Sequence, residues 1–421
     1  MQLCSEKTLQ ANKEGFFLQF ADAVAANAGE KWTKNYVLEF LSNVQEIYRK
    51  KCKETSKKRR LEAEACVKNA DKMKALSLFS QSVLRAPKQD ENLSLSLLGR
   101  AKILISMAEY SNALADIQLS LRENLQRSLK AEAFWMMALC YRASGEEDRA
   151  QVSFNLAEKL LEGDNKRLQL PPKDAVKKKG RSAPPAIGEK HAQFEHASKK
   201  ISVKTSRELG RYVVANEEIA TGETLVVEPA YAACLLPEKF GTLGCPDCAN
   251  VAFCKAECRD LATGSYHKYE CKYLDLLIGS GMSVLSHTAL RIITQNSLEK
   301  NLEMYKSRSK NRLYSLCTNS AKRSAGDFLQ RTLMAAFLLR CLQKSGYFRN
   351  KNEDVVPTDE EYQIGEMLLF NLQTLQFNAH EVYETLCFKE QRLKGTKLAY
   401  IGVAIYPTVA LFNHDCYPAV T

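Results

Sequence analysis

The chain has 421 residues, 45% of them hydrophobic, with 60 Lys and Arg against 49 Asp and Glu, a formal net charge of +11. That length allows two or three domains, each with its own core. The charge permits acidic partners without requiring them. There is no run of 18 apolar residues, and the opening MQLCSEKTLQANKEG has no apolar signal core, so no membrane span and no secretion are expected. Of the 14 cysteines, five lie between Cys245 and Cys271, and others sit singly in helical patterns, such as Cys66, Cys140 and Cys341. This distribution suits a reducing compartment with one metal module, not a disulfide framework.

Residues 1–60 read as an N-terminal helical segment. FFLQFADAVAANAGEKWTKNYVLEFLSNVQEIYRKK has apolar residues at helical spacing and few breakers. It runs into the basic stretch RKKCKETSKKRR, Arg49 to Arg60. That stretch reads as a solvated helix face or hinge, with a nuclear-import signal or a polyanion contact as the alternative. Residues 61–162 read as tetratricopeptide-like repeats. In FWMMALCYRASGEEDRAQVSFNLAEKLL, Phe134, Ala138, Tyr141, Gly145, Ala150, Phe154 and Ala157 fall on the large and small signature positions. Leu97, Ala101, Leu104, Ala108, Tyr110, Ala113 and Ile117 repeat the scheme one unit earlier, and Ala63, Cys66, Ala75, Phe79 and Pro87 one unit before that. Small residues let paired helices approach and large ones fill the gaps. Such arrays bind protein partners.

Residues 163–198, with GDNKRLQLPPKDAVKKKGRSAPPAIGEK, are basic and rich in Pro and Gly, and read as a linker. From residue 199 the composition changes. RYVVA and TLVVEPAYA are expected as strands separated by the turn EEIATGE. Helical periodicity returns in DFLQRTLMAAFLLRCLQ and EEYQIGEMLLFNLQTLQFNAHEVYE, and LAYIGVAIYPTVALFNHDCYPAVT turns back toward strand and turn.

Between these parts lies GCPDCANVAFCKAECRDLATGSYHKYEC, Gly244 to Cys271. It holds six zinc-type ligands: Cys245, Cys248, Cys254, Cys258, His267 and Cys271. Structural zinc takes four ligands, so six fill one site and leave a remainder. Cys234 is a further thiol that could add to that remainder.

The order of parts resembles the SET and MYND domain-containing family of protein-lysine methyltransferases. The resemblance covers roughly Leu61 to the end of the chain. It implies an α+β multidomain fold: a helical tetratricopeptide-like array, then a SET β-fold interrupted by a zinc-binding MYND module and a helical insert. Residues 199–240 would be the first part of the SET domain and 241–271 the MYND-type module. Residues 272–395 would be the helical insert and 396–421 the SET core signature. In the family, eight metal ligands alternate between two zinc ions. CPDC resembles the second pair, CKAEC the third and HKYEC the fourth, and the first pair is absent. Cys245, Cys248, His267 and Cys271 would then complete one zinc site, with Cys254 and Cys258 left as half of a second.

The resemblance also implies S-adenosylmethionine as cofactor. LGRYVVA looks like the family's Gly-containing strand start and places Leu209, Gly210 and Arg211 beside the cofactor, with Tyr212 where the family usually has a second Gly. RLYSLCTN implies Asn319, LQFNAHEVY looks like a family strand or turn and implies Asn378, and FNHDCYP implies Asn413 and His414. Asp415 and Ala419 depart from the family signature. The family's tyrosine near the transferred methyl group and its late cysteine cluster would lie past Thr421. The catalytic residue is therefore unknown, and the chain is expected to be a fragment with weakened or no activity. The activity implied is transfer of a methyl group to a lysine of a histone or non-histone protein, in nucleus and cytoplasm. The alternative is a non-catalytic adaptor that uses the repeats and the zinc module. Direct nucleic-acid binding is not expected, because no base-reading motif accompanies the basic residues.

Overall fold

The computed structural model describes residues 39, 41–161, 169, 185–208, 210–236, 243–349, 357–386 and 397–420. Most of the N-terminal stretch expected to be helical, and most of the linker, lie outside the described residues. The fold mixes helices and small sheets, with a helical array first. The chain forms two compact units. One comprises Tyr48–Ser182 with Lys239–Gly264, the other Met1–Ile47, Ala183–Glu238 and Ser265–Thr421.

The array has six described helices: α1 (Lys53–Lys68), α2 (Lys72–Arg85), α3 (Glu91–Ser106), α4 (Tyr110–Arg122), α5 (Arg127–Ser144) and α6 (Glu147–Leu160). Short loops between successive helices make them antiparallel neighbours. Each corner has a residue at positive φ: Ala70, Gln89, Ala108, Asn124 and Gly145. Ala63, Ala75, Ala101, Ala113, Ala138, Ala150 and Ala157 are fully buried where the helices meet. Gly99 faces the Phe79 ring so closely that a Cβ there would lie 2.5 Å from Phe79 Cζ.

Serines also tighten the crossings. Ser56 Oγ lies 2.9 Å from Ser82 Oγ, which in turn lies 2.7 Å from Ser96 Oγ. Arg100 on α3 forms a bidentate pair with Asp116 on α4, at 2.7 and 2.8 Å, and donates to Ser80 Oγ on α2. The basic run divides in two. Arg49 and Lys50 are extended, whereas the charges on α1 pair locally, Arg59 with Glu62 at 2.8 Å and Arg60 with Glu64.

The remaining elements in chain order are β1 (Ile201–Ser206), β2 (Gly210–Ala215), β3 (Ala232–Leu235), β4 (Leu243–Gly244), β5 (Ala252–Phe253), α7 (Ala256–Gly264) and α8 (Tyr266–Glu270). After them come α9 (Leu274–Gly279), α10 (Val284–Thr294), α11 (Leu298–Lys306), α12 (Ala325–Ser345), α13 (Asp359–Asn378), β6 (Ala379–Leu386) and β7 (Lys397–Ile405). β1 and β2 form an antiparallel pair, Ile201 opposite Ala215. β3, β7 and β6 form an antiparallel sheet with β7 central.

Ile292, Ile293, Phe337, Leu338, Leu342, Ile364, Leu368 and Leu372 fill the helical core beside this sheet. Each such side chain contributes roughly 1.5–3 kcal/mol by leaving water. Ser283, Ser297, Ser324 and Thr358 cap their helices through side-chain oxygens, and Thr358 forms a reciprocal capping box with Glu361.

Three expectations change. Residues 44–51, read as the end of a helix, are not helical, because their carbonyls are taken elsewhere: Ile47 O by the N–H groups of Asp275 and Leu276, Arg49 O by that of Ala249. TLVVEPAYA is not a strand: it makes one isolated bridge, Ala197 with Val226, and then runs irregularly to β3. Pro229 has no N–H to give a ladder, and the adjoining Glu228 turns its carboxylate to backbone N–H groups of Thr408 and Val409 at 2.8–3.1 Å. FNAHEVYE is not helical throughout. α13 stops at Asn378 and β6 begins at Ala379.

Candidate metal centre and cofactor face

Cys245, Cys248, His267 and Cys271 are all buried, and one ligand atom from each lies within 4.8 Å of the others. Among the described residues this is the one group of three or more Cys, His, Asp or Glu ligands so gathered. The hairpin of β4 and β5 carries the CPDC turn. Backbone N–H groups of Asp247 and Cys248 point at Cys245 Sγ at 3.4 and 3.5 Å, a contact that favours thiolate. The turn is also held from behind. Lys50 bridges Cys248, and the Ala249 N–H donates to Arg49 O at 2.8 Å.

His267 Nδ1 lies 3.1 Å from Glu270 Oε1, which leaves Nε2 to ligate. A carboxylate behind a ligating histidine fixes its orientation and raises its basicity. Three thiols and an imidazole in one buried cluster fit a tetrahedral zinc ion. Cys254 and Cys258 lie outside the cluster, with their sulfurs 3.4 Å apart. Cys234 turns elsewhere: its Sγ is 3.4 Å from His287 Nδ1.

Glu270 is the centre of a network that motif reading missed. It is fully buried and accepts hydrogen bonds from Arg291 Nη2 at 2.7 Å and Arg291 Nε at 3.0 Å, and meets His287 Nε2 at 2.6 Å. Burial alone would raise its carboxyl pKa, but Arg291 and His287 outweigh burial and hold it well below the usual range. The one sequence signal was an acidic residue three places after a ligating histidine on a short helix.

The residues expected to face a cofactor are distributed unevenly. Leu209 lies outside the described residues. Gly210 opens β2 at φ 66°, and a Cβ there would meet no atom within 4 Å. Arg211 Nη2 donates to Ser315 O at 2.6 Å. Asn319 sits in left-handed conformation at φ 50°, its Oδ1 3.2 Å from Cys317 Sγ. Asn378 ends α13, nearly buried, and its Nδ2 donates to Cys317 O at 2.8 Å and Thr374 O at 2.7 Å. Arg323 adds a bond from Nε to Thr318 O at 3.0 Å.

Loop 315–319 is thus held by Arg211, Asn378 and Arg323. Asn413 and His414 are exposed. They follow Phe412, which packs on the cluster of Ala197, Ile201 and Leu225 together with Val213. Glu228 fixes the turn that leads into this stretch.

The chain is 23% identical over 452 aligned residues to the zebrafish (Danio rerio) protein-lysine N-methyltransferase SMYD4, covering 90% of this chain and 56% of the relative. These relatives support the SET and MYND domain-containing family. The mouse (Mus musculus) SMYD4 is 29% identical over 137 residues, 25% of this chain and 17% of the relative. The human (Homo sapiens) SMYD4 is 24% identical over 270 residues, 52% of this chain and 33% of the relative. The chain therefore spans about half the length of the zebrafish relative, at 56%, and a third of the human one, at 33%. No family model matches the chain, and no solved structure matches it. Among the described residues, no helix is long and apolar enough to cross a membrane.

Proposed function

We propose that this chain is part of an S-adenosylmethionine-dependent protein-lysine N-methyltransferase with SET and MYND architecture behind a tetratricopeptide-like array. The observation that carries the reading is the 23% identity to one named methyltransferase, the zebrafish relative, over 90% of the chain. The buried Cys3His cluster supports the zinc module. In this reading the domain limits are those read from the sequence. The bound cofactor would supply an activated methyl group. Gly210 would offer open backbone to it, and Arg211, Asn378 and loop 315–319 would form a fixed wall near Asn319.

A substrate lysine, protonated in water, must enter a desolvated channel and lose its proton before it can attack. Alignment then supplies most of the remaining rate, up to about 7–11 kcal/mol in well-oriented systems. All of that wall comes from residues before β7, so cofactor binding can be measured apart from turnover.

The test is calorimetric titration of the 421-residue protein with S-adenosylmethionine, with zinc measured on the same sample. Near-stoichiometric binding with about one zinc per chain is the expected result. Zinc without cofactor binding would sink the methyltransferase reading for this chain. An adaptor reading would then take over, favoured by an open groove of about 550 Å³ on α4, α5 and α6, lined by Met137, Tyr141, Val152 and Leu156.

A further inference from the structure

Three buried thiols invite comparison. Cys140, Cys341 and Cys234 are 0%, 3% and 3% exposed. Burial pushes the Cys140 thiol up to about 12 and the Cys341 thiol higher still. Cys234 has equal burial but different neighbours. Its Sγ is 3.4 Å from His287 Nδ1, and the other nitrogen of His287 is 2.6 Å from Glu270 Oε2. Arg291 clamps the same carboxylate and donates to the backbone of Ala233 at 3.1 Å. Burial would raise the Cys234 thiol, yet the His287 and Arg291 cations bring it below its ordinary value. His287, despite burial, is raised to about 9 by Cys234 and Glu270. Two contacts, at 3.4 and 2.6 Å, thus join the Cys234 sulfur to the His287 imidazole and the imidazole to the Glu270 carboxylate.

We propose that Cys234 is a site of reversible oxidation by hydroperoxides, with His287 as its acid. The thiolate sulfur attacks one peroxide oxygen. An S–O bond forms, the O–O bond breaks, sulfur is oxidised to sulfenic acid and the peroxide is reduced. The leaving hydroxide takes the proton of the His287 imidazolium and departs as water. One small thiol then condenses with the sulfenic acid, releasing water and forming a mixed disulfide, and a second displaces the restored cysteine and ends with the first as their disulfide. Cys234 is 3% exposed, on β3, a four-residue strand at the edge of its sheet, so a peroxide reaches it by local opening of that strand. Opening of a strand end admits a molecule the size of hydrogen peroxide.

The experiment exposes the full zinc-loaded chain to hydrogen peroxide with dimedone, then quantifies the adduct at each cysteine by peptide mass spectrometry. Cys234 is expected to be labelled at least about tenfold faster than Cys140 and Cys341, since thiolate fraction sets the rate. His287→Gln should slow Cys234 about tenfold, the change that one pKa unit makes, while Cys140 and Cys341 stay protected and report an intact fold. Labelling of Cys234 no faster than Cys341 overturns the proposal. So does unchanged labelling of Cys234 in a folded His287→Gln protein. If that variant unfolds, the wild-type comparison of the three buried thiols decides alone.

Discussion

Removing the Asp116 carboxylate tests how the helical array is held together. Arg100 and Asp116 are 3% and 1% exposed, and two charge-assisted bonds of 2.7 and 2.8 Å join them. Asp116→Ala leaves the guanidinium buried without its counter-charge, and the bond to Ser80 Oγ at 3.2 Å does not replace it. Losing one partner of a buried pair costs about 3–5 kcal/mol. Replacing both partners by apolar residues of similar volume, Arg100→Met with Asp116→Leu, is expected to come within about 1 kcal/mol of the wild type. Urea denaturation followed by far-ultraviolet circular dichroism gives the three numbers. A cost below about 1 kcal/mol for Asp116→Ala would refute the reasoning, because exposed pairs lie in that range. A double variant no more stable than the single one would refute it equally.

Gly402→Ala should destabilise by about 3 kcal/mol or more, because its Cβ would run into Cys234 O and lie 2.8 Å from Leu235 Cα, both backbone atoms; thermal unfolding measures it. Ala108→Gly should stabilise by up to about 1 kcal/mol, since φ is 60° at that corner, and the same melts report it. Cys248→Ser should lower bound zinc below half an equivalent per chain by metal analysis, whereas Cys254→Ser should leave it at about one.

The Cys234–His287 pair sets a pH dependence. His287 is raised from 6.5 to about 9, so alone its contribution is full below 6.5 and lost as pH rises through about 9. Cys234 is lowered from 9.0, so alone its contribution is full above 9.0 and lost as pH falls through its folded value. The unfolded pair holds two protons below 6.5 and one from 6.5 to 9.0, whereas in the folded protein the thiol gives up its proton below 9.0 and the imidazole keeps its own up to about 9. The Cys234 contribution should therefore fall away on the acid side and the His287 contribution on the alkaline side, each by at most about 1.4 kcal/mol per pH unit. Urea midpoints across pH should lose this acid slope in Cys234→Ser.

What could be read in advance depended on whether a residue's partner was near in sequence. The Cys and His spacings flagged a metal module because ligand type and interval carry the signal themselves. The buried alanines of the array were legible because packing of paired helices repeats at a fixed interval. Strand β2 followed from its β-branched run. TLVVEPAYA misled because the role of Glu228 is decided by Thr408 and Val409, far along the chain. Helical periodicity alone hid the switch to strand at Asn378, whose amide is held by Cys317 O, a loop carbonyl no local pattern reveals, although the family resemblance read this stretch as strand or turn. Glu270, His287 and Arg291 share no spacing motif, and only the fold brings them together.

The sheet order has a consequence for how the protein is made. β3 pairs with β7, and Leu235 lies opposite Gly402. At 5–20 residues per second, a ribosome needs roughly 10–30 s to synthesise the intervening chain of about 170 residues. The array, whose helices touch near neighbours, can close while this happens. β3 cannot: its apolar edge must wait, unpaired, for a partner not yet translated. Growth temperature and chaperone supply should therefore govern the yield of folded protein through this one strand.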